Sequence, residues 1–154
     1  MERDGMVDFK VRGVGPEDRT EWLRMRKALW EDRPEEQQVG DMEGFLGSDT
    51  EEVFVAERTG GGLSGFVEAS IRPWASGCES QPVGYVEGWY VDSDVRRRGV
   101  GPALVAAAEA RASARGCRQV ASDAELWNEV SQEAHGAHGY QETARLVLFK
   151  KRLE

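Results

Sequence analysis

Apolar and polar positions alternate through VDFKVR (7–12), which predicts a strand. The next segment changes period. Pro16 followed by Glu17 and Asp18 predicts a helix start, and Trp22, Leu23, Met25, Leu29 and Trp30 then fall on roughly one helical face. DMEGFLG (41–47) predicts a short second helix. EVFVAER (52–58) and LSGFVEASIR (63–72) are strands joined by TGGG, a turn whose glycines supply positive φ, and together they predict a hairpin. A polar loop (73–82) leads to a strand at VGYVEGWYV (83–91). An Ala-rich helix (101–116) stops at Gly116. A short strand (118–123), a helix (128–139) and a closing strand, ARLVLFKKRL (144–153), complete the pattern.

The predicted order is β-α-α-β-β-β-α-β-α-β. That is an α/β fold with a mixed central β-sheet flanked by helices, antiparallel in its N-terminal half and parallel through crossovers in its C-terminal half. No repeat, linker or low-complexity segment interrupts it, so residues 1–154 are expected to form one domain.

Composition narrows the function. The net charge is −8 and the pI near 4.9, which argues against nucleic acid as a partner. It fits either plain solubility or a cationic substrate. Mean hydropathy is −0.58, and no apolar run approaches the roughly 18 residues of a membrane span. No secretory signal is read at the N-terminus, so a cytoplasmic location is expected. Cys78 and Cys117 are too few for a disulfide framework and lack metal-ligand spacing, and two histidines, His135 and His138, are too few for a His-rich metal site.

Within this acidic chain, DVRRRGVG (94–101) concentrates three arginines and two glycines between a strand and a helix. Free backbone N–H groups and a helix N-terminus at such a junction attract anions. Glycine lets a phosphate approach the backbone, and arginine adds charge. The spacing is neither a Walker loop nor a dinucleotide fingerprint.

The spacing Arg96-x-x-Gly99-x-Gly101 resembles the signature of the GNAT superfamily of N-acetyltransferases. Asn128, His135 and Gly139-Tyr140 follow the run that the family carries next, with histidine where an aromatic is usual. EWLRMRKALWED, EASIR, EGWYV, ASDAELWN and ETARLVLFKKRL together resemble the aminoglycoside 6'-N-acetyltransferase branch. The resemblance implies the GNAT fold and transfer of acetyl from acetyl-CoA to a primary amine of an aminoglycoside, with no metal and with a homodimer as assembly. It places the pyrophosphate on Arg96, Arg97, Arg98, Gly99, Val100 and Gly101, the thioester carbonyl beside the Val91 backbone N–H, and Asn128 near the pantetheine or the departing sulfur.

Three residues admit two readings each. Strand 83–91, taken as regular, puts Val83, Tyr85, Glu87, Trp89 and Val91 on one face. Glu87 in that apolar row needs a cation nearby, either a neighbouring arginine or a substrate ammonium. Asp123, at the end of its strand, is either a helix cap or the general base that takes a proton from the amine. Trp30, before the acid-rich EDRPEE, is either core or an aromatic wall for a cationic sugar. The resemblance favours substrate roles for all three, with Asp123 catalytic. Glu68 and Ser70 share a face with Phe66 and are expected to line the same cleft. His135 or water is expected to protonate the leaving thiolate, and Trp74 and Ala75 stand where the branch often has a tyrosine. Two alternatives remain: the same chemistry on a polyamine or protein N-terminus, and an acyl-CoA-binding regulatory module.

Overall fold

A computed structural model describes residues 8–154. The elements are β1 (Phe9–Gly13), α1 (Arg19–Leu29), α2 (Glu35–Leu46), β2 (Glu51–Arg58), β3 (Leu63–Arg72), β4 (Val83–Val91), α3 (Val100–Ala114), β5 (Val120–Ser122) and α4 (Glu129–Ala137). Pro16–Asp18 forms a single 3-10 turn leading into α1. The sheet order is β1-β2-β3-β4-β5. β1 to β4 pair antiparallel, and β5 joins β4 parallel after the α3 crossover.

Each face of the sheet buries its own apolar cluster. Trp22 and Met25 of α1 and Met42 of α2 pack on Val53, Val55 and Phe66. On the other face, Val100, Leu104, Val105 and Ala108 of α3 pack on Ala56, Val67, Ala69 and Val86. Two covered faces explain why β3 is buried almost throughout.

Between β3 and β4 the register slips. Glu68 lies opposite Gly88 and Ala69 opposite Val86, so Glu87 is an extra residue on β4. Such a bulge reverses the alternation beyond it. Trp89 and Val91 therefore join Val86 on the α3 face, while Tyr90 packs with the α1 cluster. The single face expected for Tyr85, Glu87, Trp89 and Val91 is thus divided.

Helix α2 begins at Glu35, well before the expected residue 41. Pro34 stands at its N-cap and Glu35 and Glu36 in its first turn, a helix-start pattern within what reads along the sequence as an acid-rich loop. The expected strand at 144–153 is not formed. No strand or helix follows α4, and Leu146, Val147, Leu148, Phe149 and Leu153 are 72% to 92% exposed. A strand requires a partner, and Leu146–Phe149 is apolar on both of its faces, so it needs cover on both sides. Among the described residues, the strand nearest in sequence is β5, three residues long.

Candidate active site

Beyond Val86, β4 continues to Val91 without β5 beside it, because pairing stops at Val86↔Ser122. The outer edge of β4 is open there. Asp92 N–H donates to the Ser64 carbonyl at 2.7 Å, so the amide of the preceding residue points the opposite way in an antiparallel ladder. The Val91 N–H accordingly faces the open edge. Its carbonyl accepts from Arg96 Nε at 3.0 Å, which ties the basic loop to the strand end. Asp92 also binds Arg24 Nη1 and Nη2 and Arg58 Nη2, each at 3.0 Å, fixing the exit of β4.

Arg96–Gly99 turns directly into α3. Arg97 has φ +63° and Gly99, the N-cap of α3, has φ +93°. Left-handed residues interspersed in a turn swing successive N–H groups toward one side, forming a nest for anions at a helix N-terminus. Arg96, Arg97 and Arg98 are exposed and Val100 is buried. Gly101 differs from Gly99: its φ is ordinary, and an added Cβ would meet the Trp89 ring and Val91 at 3.5 Å, ordinary contact. Only Gly99 requires glycine for its backbone. Gly99→Val is therefore expected to weaken anion binding at the nest at least about tenfold, from the roughly 1–2 kcal/mol cost of a side chain at positive φ plus distortion of the nest. Arg97→Ala and Arg98→Ala are expected to cost less, as is Gly101→Ala, and titration calorimetry with a pyrophosphate-bearing ligand ranks the four.

On the α1 face, Ser70 and Arg72 of β3 stand beside Tyr85 and Glu87 of β4, with Asp123 just past β5. Ser70 Oγ donates to Glu87 Oε1 at 2.6 Å. Arg72 Nη2 reaches both Glu87 oxygens, at 2.7 and 2.8 Å, and Nε reaches Oε1 at 3.1 Å. The Arg72 guanidinium also lies 3.5 Å above the Tyr85 ring. Tyr85 Oη donates to Asp123 Oδ2 at 2.5 Å. Burial first, and then this bond to Asp123, push the Tyr85 phenol well above its ordinary value, so it remains a donor that orients the carboxylate. Tyr85 was assigned no role from sequence; its signal was its place two residues before Glu87 on the same face.

Asp123 is exposed and caps no helix. The N-cap of α4 is Asn128, whose Oδ1 accepts from Ser131 N at 3.1 Å. The Asn128 carbonyl oxygen is thus committed to the fold, leaving its amide N–H₂ as the group that can meet a ligand. His135 is also held at both nitrogens. Nε2 lies 2.7 Å from Ser122 Oγ and Nδ1 lies 2.7 Å from the Ser131 carbonyl, with the ring edge-on to Trp89 and Tyr140. These bonds make it a brace between α4 and β5.

Trp30 ends α1 and is half buried. The Arg26 guanidinium lies 4.6 Å from its ring centroid and that of Arg33 4.2 Å. Gly88 makes room for it, because an added Cβ would come within 2.5 Å of the indole. The bulge that places Glu87 toward the cleft thus also gives Trp30 its seat. Glu68 does not line the cleft. It is 1% exposed and bound by Trp22 Nε1 at 2.8 Å and by Arg26, itself 1% exposed, whose Nη1 reaches both carboxylate oxygens. Burial pushes the Glu68 carboxyl above the ordinary range, against the pull of Arg26 and Trp22. Trp74 is largely exposed and Ala75 buried.

A bulged, half-open β4 thus lies beside a short parallel strand, with an anion nest at the start of the crossover helix. The model of the acetyltransferase (GNAT) family matches residues 22–140, and the chain belongs to that family. It is 42% identical over 93% of its length to an aminoglycoside N(6')-acetyltransferase type 1 of Klebsiella aerogenes, covering 96% of that protein. It is 37% identical to a protein of the same name from Stenotrophomonas maltophilia, with 94% of each chain covered. Among solved structures, AAC(6')-Iy in complex with the bisubstrate analogue CoA-S-monomethyl-acetylneamine superposes with a TM-score of 0.88 at 35% identity, over 95% of this chain and 99% of that one.

Proposed function

We propose that the protein is an aminoglycoside 6'-N-acetyltransferase that uses acetyl-CoA as donor, acting as one domain over residues 1–154. The observation that carries this reading is the pair of acids, Glu87 on β4 and Asp123 just past the adjacent β5, in a chain whose β4 leads into a basic nest at the start of α3. Relatives that share 33% to 42% of its residues over most of the chain carry that activity in their names.

The described residues suit both substrates. The nest from Arg96 to Gly101 provides N–H groups for a pyrophosphate, and the acids on the other side suit a polycation. Acetyl-CoA supplies an activated acetyl group as its thioester. In this reading Glu87, Asp123 and Trp30 hold the aminoglycoside. Asp123, oriented by Tyr85, accepts a proton from the substrate ammonium, whose reference pKa near 10 otherwise keeps the nitrogen lone pair occupied. The freed amine attacks the thioester carbonyl carbon. The Val91 N–H donates to the carbonyl oxygen as negative charge develops there, a preorganised contact that needs no rearrangement. As the C–S bond breaks, the nitrogen loses its second proton to solvent and the thiolate takes one back from water, since both His135 nitrogens are engaged in bracing; the proton held by Asp123 is the one released per turnover. The Asn128 amide stands at the pantetheine side. Holding the two reactants together supplies much of the rate.

Thiol release from acetyl-CoA tests the reading against its nearest rival. Turnover with kanamycin far above that with spermidine or a peptide N-terminus is the expected result; the reverse order assigns the fold to another cationic amine. Catalysis with any of them removes a purely regulatory acyl-CoA-binding role.

The cytoplasm is the proposed compartment, supported by the free thiols Cys78 and Cys117 and by the need for acetyl-CoA. A homodimer is the proposed assembly. The arm at 144–153 presents apolar residues on both faces with Arg145, Lys150, Lys151 and Arg152 among them. Leu126, Trp127 and Val130 are exposed beside β5, with Glu125, Glu129 and Glu133 interspersed. Basic-apolar and acidic-apolar surfaces are complementary, and exchange of the arms between two copies covers both. Light scattering is expected to give twice the 17.1 kDa chain mass, falling to the single mass in Leu148→Asp/Phe149→Asp. A monomeric wild-type protein contradicts this assembly.

A further inference from the structure

Two Arg–Glu pairs occur on the same face of β3 and β4, and their surroundings differ. Arg26–Glu68 is sealed, each side chain 1% exposed. Arg72–Glu87 is open, with the two side chains 42% and 26% exposed. The first is a fixture of the core. The second belongs to the weak, solvent-screened class of ion pair, yet it sits on one of the two acids proposed to hold the drug.

Glu87 Oε1 already accepts from Ser70 Oγ, Arg72 Nε and Arg72 Nη2, and Nη2 also spans to Oε2. The guanidinium simultaneously covers the Tyr85 ring at 3.5 Å. A carboxylate with an aromatic face beside it is the environment an alkyl ammonium seeks, and Arg72 fills both halves of it. A substrate ammonium cannot approach that side of Glu87 while Arg72 remains.

We propose that Arg72 is a resident counter-ion of the amine site: its guanidinium holds the place of a substrate ammonium on Glu87 and Tyr85, and a cationic amino sugar binds there by displacing it. This rests on the aminoglycoside reading above. Arg72 has the means to leave. It is the last residue of β3, its side chain is long and half exposed, and the loop at 73–82 follows it. Glu87 retains Ser70 Oγ as an orienting donor throughout, so the carboxylate need not reorganise. Exchange of one cation for another keeps the half-buried acid paired at every stage, which avoids leaving an unpaired charge in the cleft. Arg72 therefore sets a threshold: a substrate amine must outcompete a tethered guanidinium, which favours polycations over single amines.

The sign of one mutational effect decides between this role and a scaffolding role. With the competitor removed, Arg72→Gln is expected to bind kanamycin about three- to tenfold tighter by calorimetry in the presence of CoA, and to lower KM for kanamycin with KM for acetyl-CoA as internal reference. Arg72→Lys, which keeps the charge but loses the forked contact, is expected to fall between Arg72→Gln and wild type. The gain in Arg72→Gln is expected to be larger for a monoamine such as benzylamine, which narrows the preference for polycations. Unchanged or weaker kanamycin binding in a folded Arg72→Gln protein, judged by its thermal transition, overturns the counter-ion role alone. Absence of kanamycin turnover by the wild-type protein overturns the aminoglycoside reading itself.

Discussion

Asp123→Asn is expected to lower kcat/KM for an aminoglycoside about 100- to 10,000-fold, the range associated with loss of a positioned general base, while the Kd for CoA stays within twofold. Asparagine has nearly the same shape and can still accept the hydrogen bond from Tyr85 Oη, which lies 2.5 Å from the Asp123 carboxylate. What it loses is the capacity to take a proton and the charge that draws an ammonium. Asp123 makes no hydrogen bond to the nest at Arg96–Gly101, so nucleotide binding reports on folding. The rate should also recover partly at high pH, where the amine loses its proton to solvent and the base is less needed. Steady-state thiol release from pH 6 to 10, with calorimetry for CoA, checks both halves. Wild-type turnover in this variant removes Asp123 from the mechanism.

Arg26→Ala is expected to destabilise the protein by about 3–5 kcal/mol, the cost of leaving a buried charge without its partner. Glu68 and Arg26 are each 1% exposed, and Glu68 then retains only Trp22 Nε1 as donor. Arg26 Nη2 also reaches Asp41 on α2 at 2.9 Å, so the loss spans α1, α2 and β3. At roughly 2–4 °C per kcal/mol for a chain of this size, the midpoint should fall by about 6–20 °C. Replacing Arg26 and Glu68 together with Met and Leu should recover much of this loss, because the buried charge disappears with its partner. Urea denaturation of the single and double variants measures both. A small effect in Arg26→Ala shows that water reaches Glu68 and that the cluster is not a sealed part of the core.

Much of this architecture was legible in the chain. Strands 52–58, 63–72 and 83–91 emerge almost residue for residue because two packed faces impose their patterns on local sequence. The anion nest was legible too, since Gly99 and the arginines are contiguous. Four features were not. The bulge at Glu87 is a property of the pairing between β3 and β4, and strict alternation along β4 alone places Trp89 and Val91 on the wrong face. Glu68 and Glu87 look equivalent in sequence, each an acid in an apolar strand. Only the fold shows that α1 covers the first with Arg26 and leaves the second at the cleft with Arg72. The arm at 144–153 carries a strand pattern that no strand among the described residues pairs with, and pairing is not written in the arm's own sequence. The helical brace of His135 and the cap made by Asn128 likewise depend on where α4 settles against β5 and Trp89, which spacing alone does not encode.

The central claim is that Glu87 and Asp123 present a 6'-ammonium to the thioester carbonyl beside the Val91 N–H. It is tested most directly by comparing two aminoglycosides that differ only in bearing an amine or a hydroxyl at the 6' position, with thiol release as the readout and mass spectrometry of the product. The account predicts one added acetyl group on the 6'-amino compound and no turnover of the 6'-hydroxyl compound. Equal acetylation of both would contradict it.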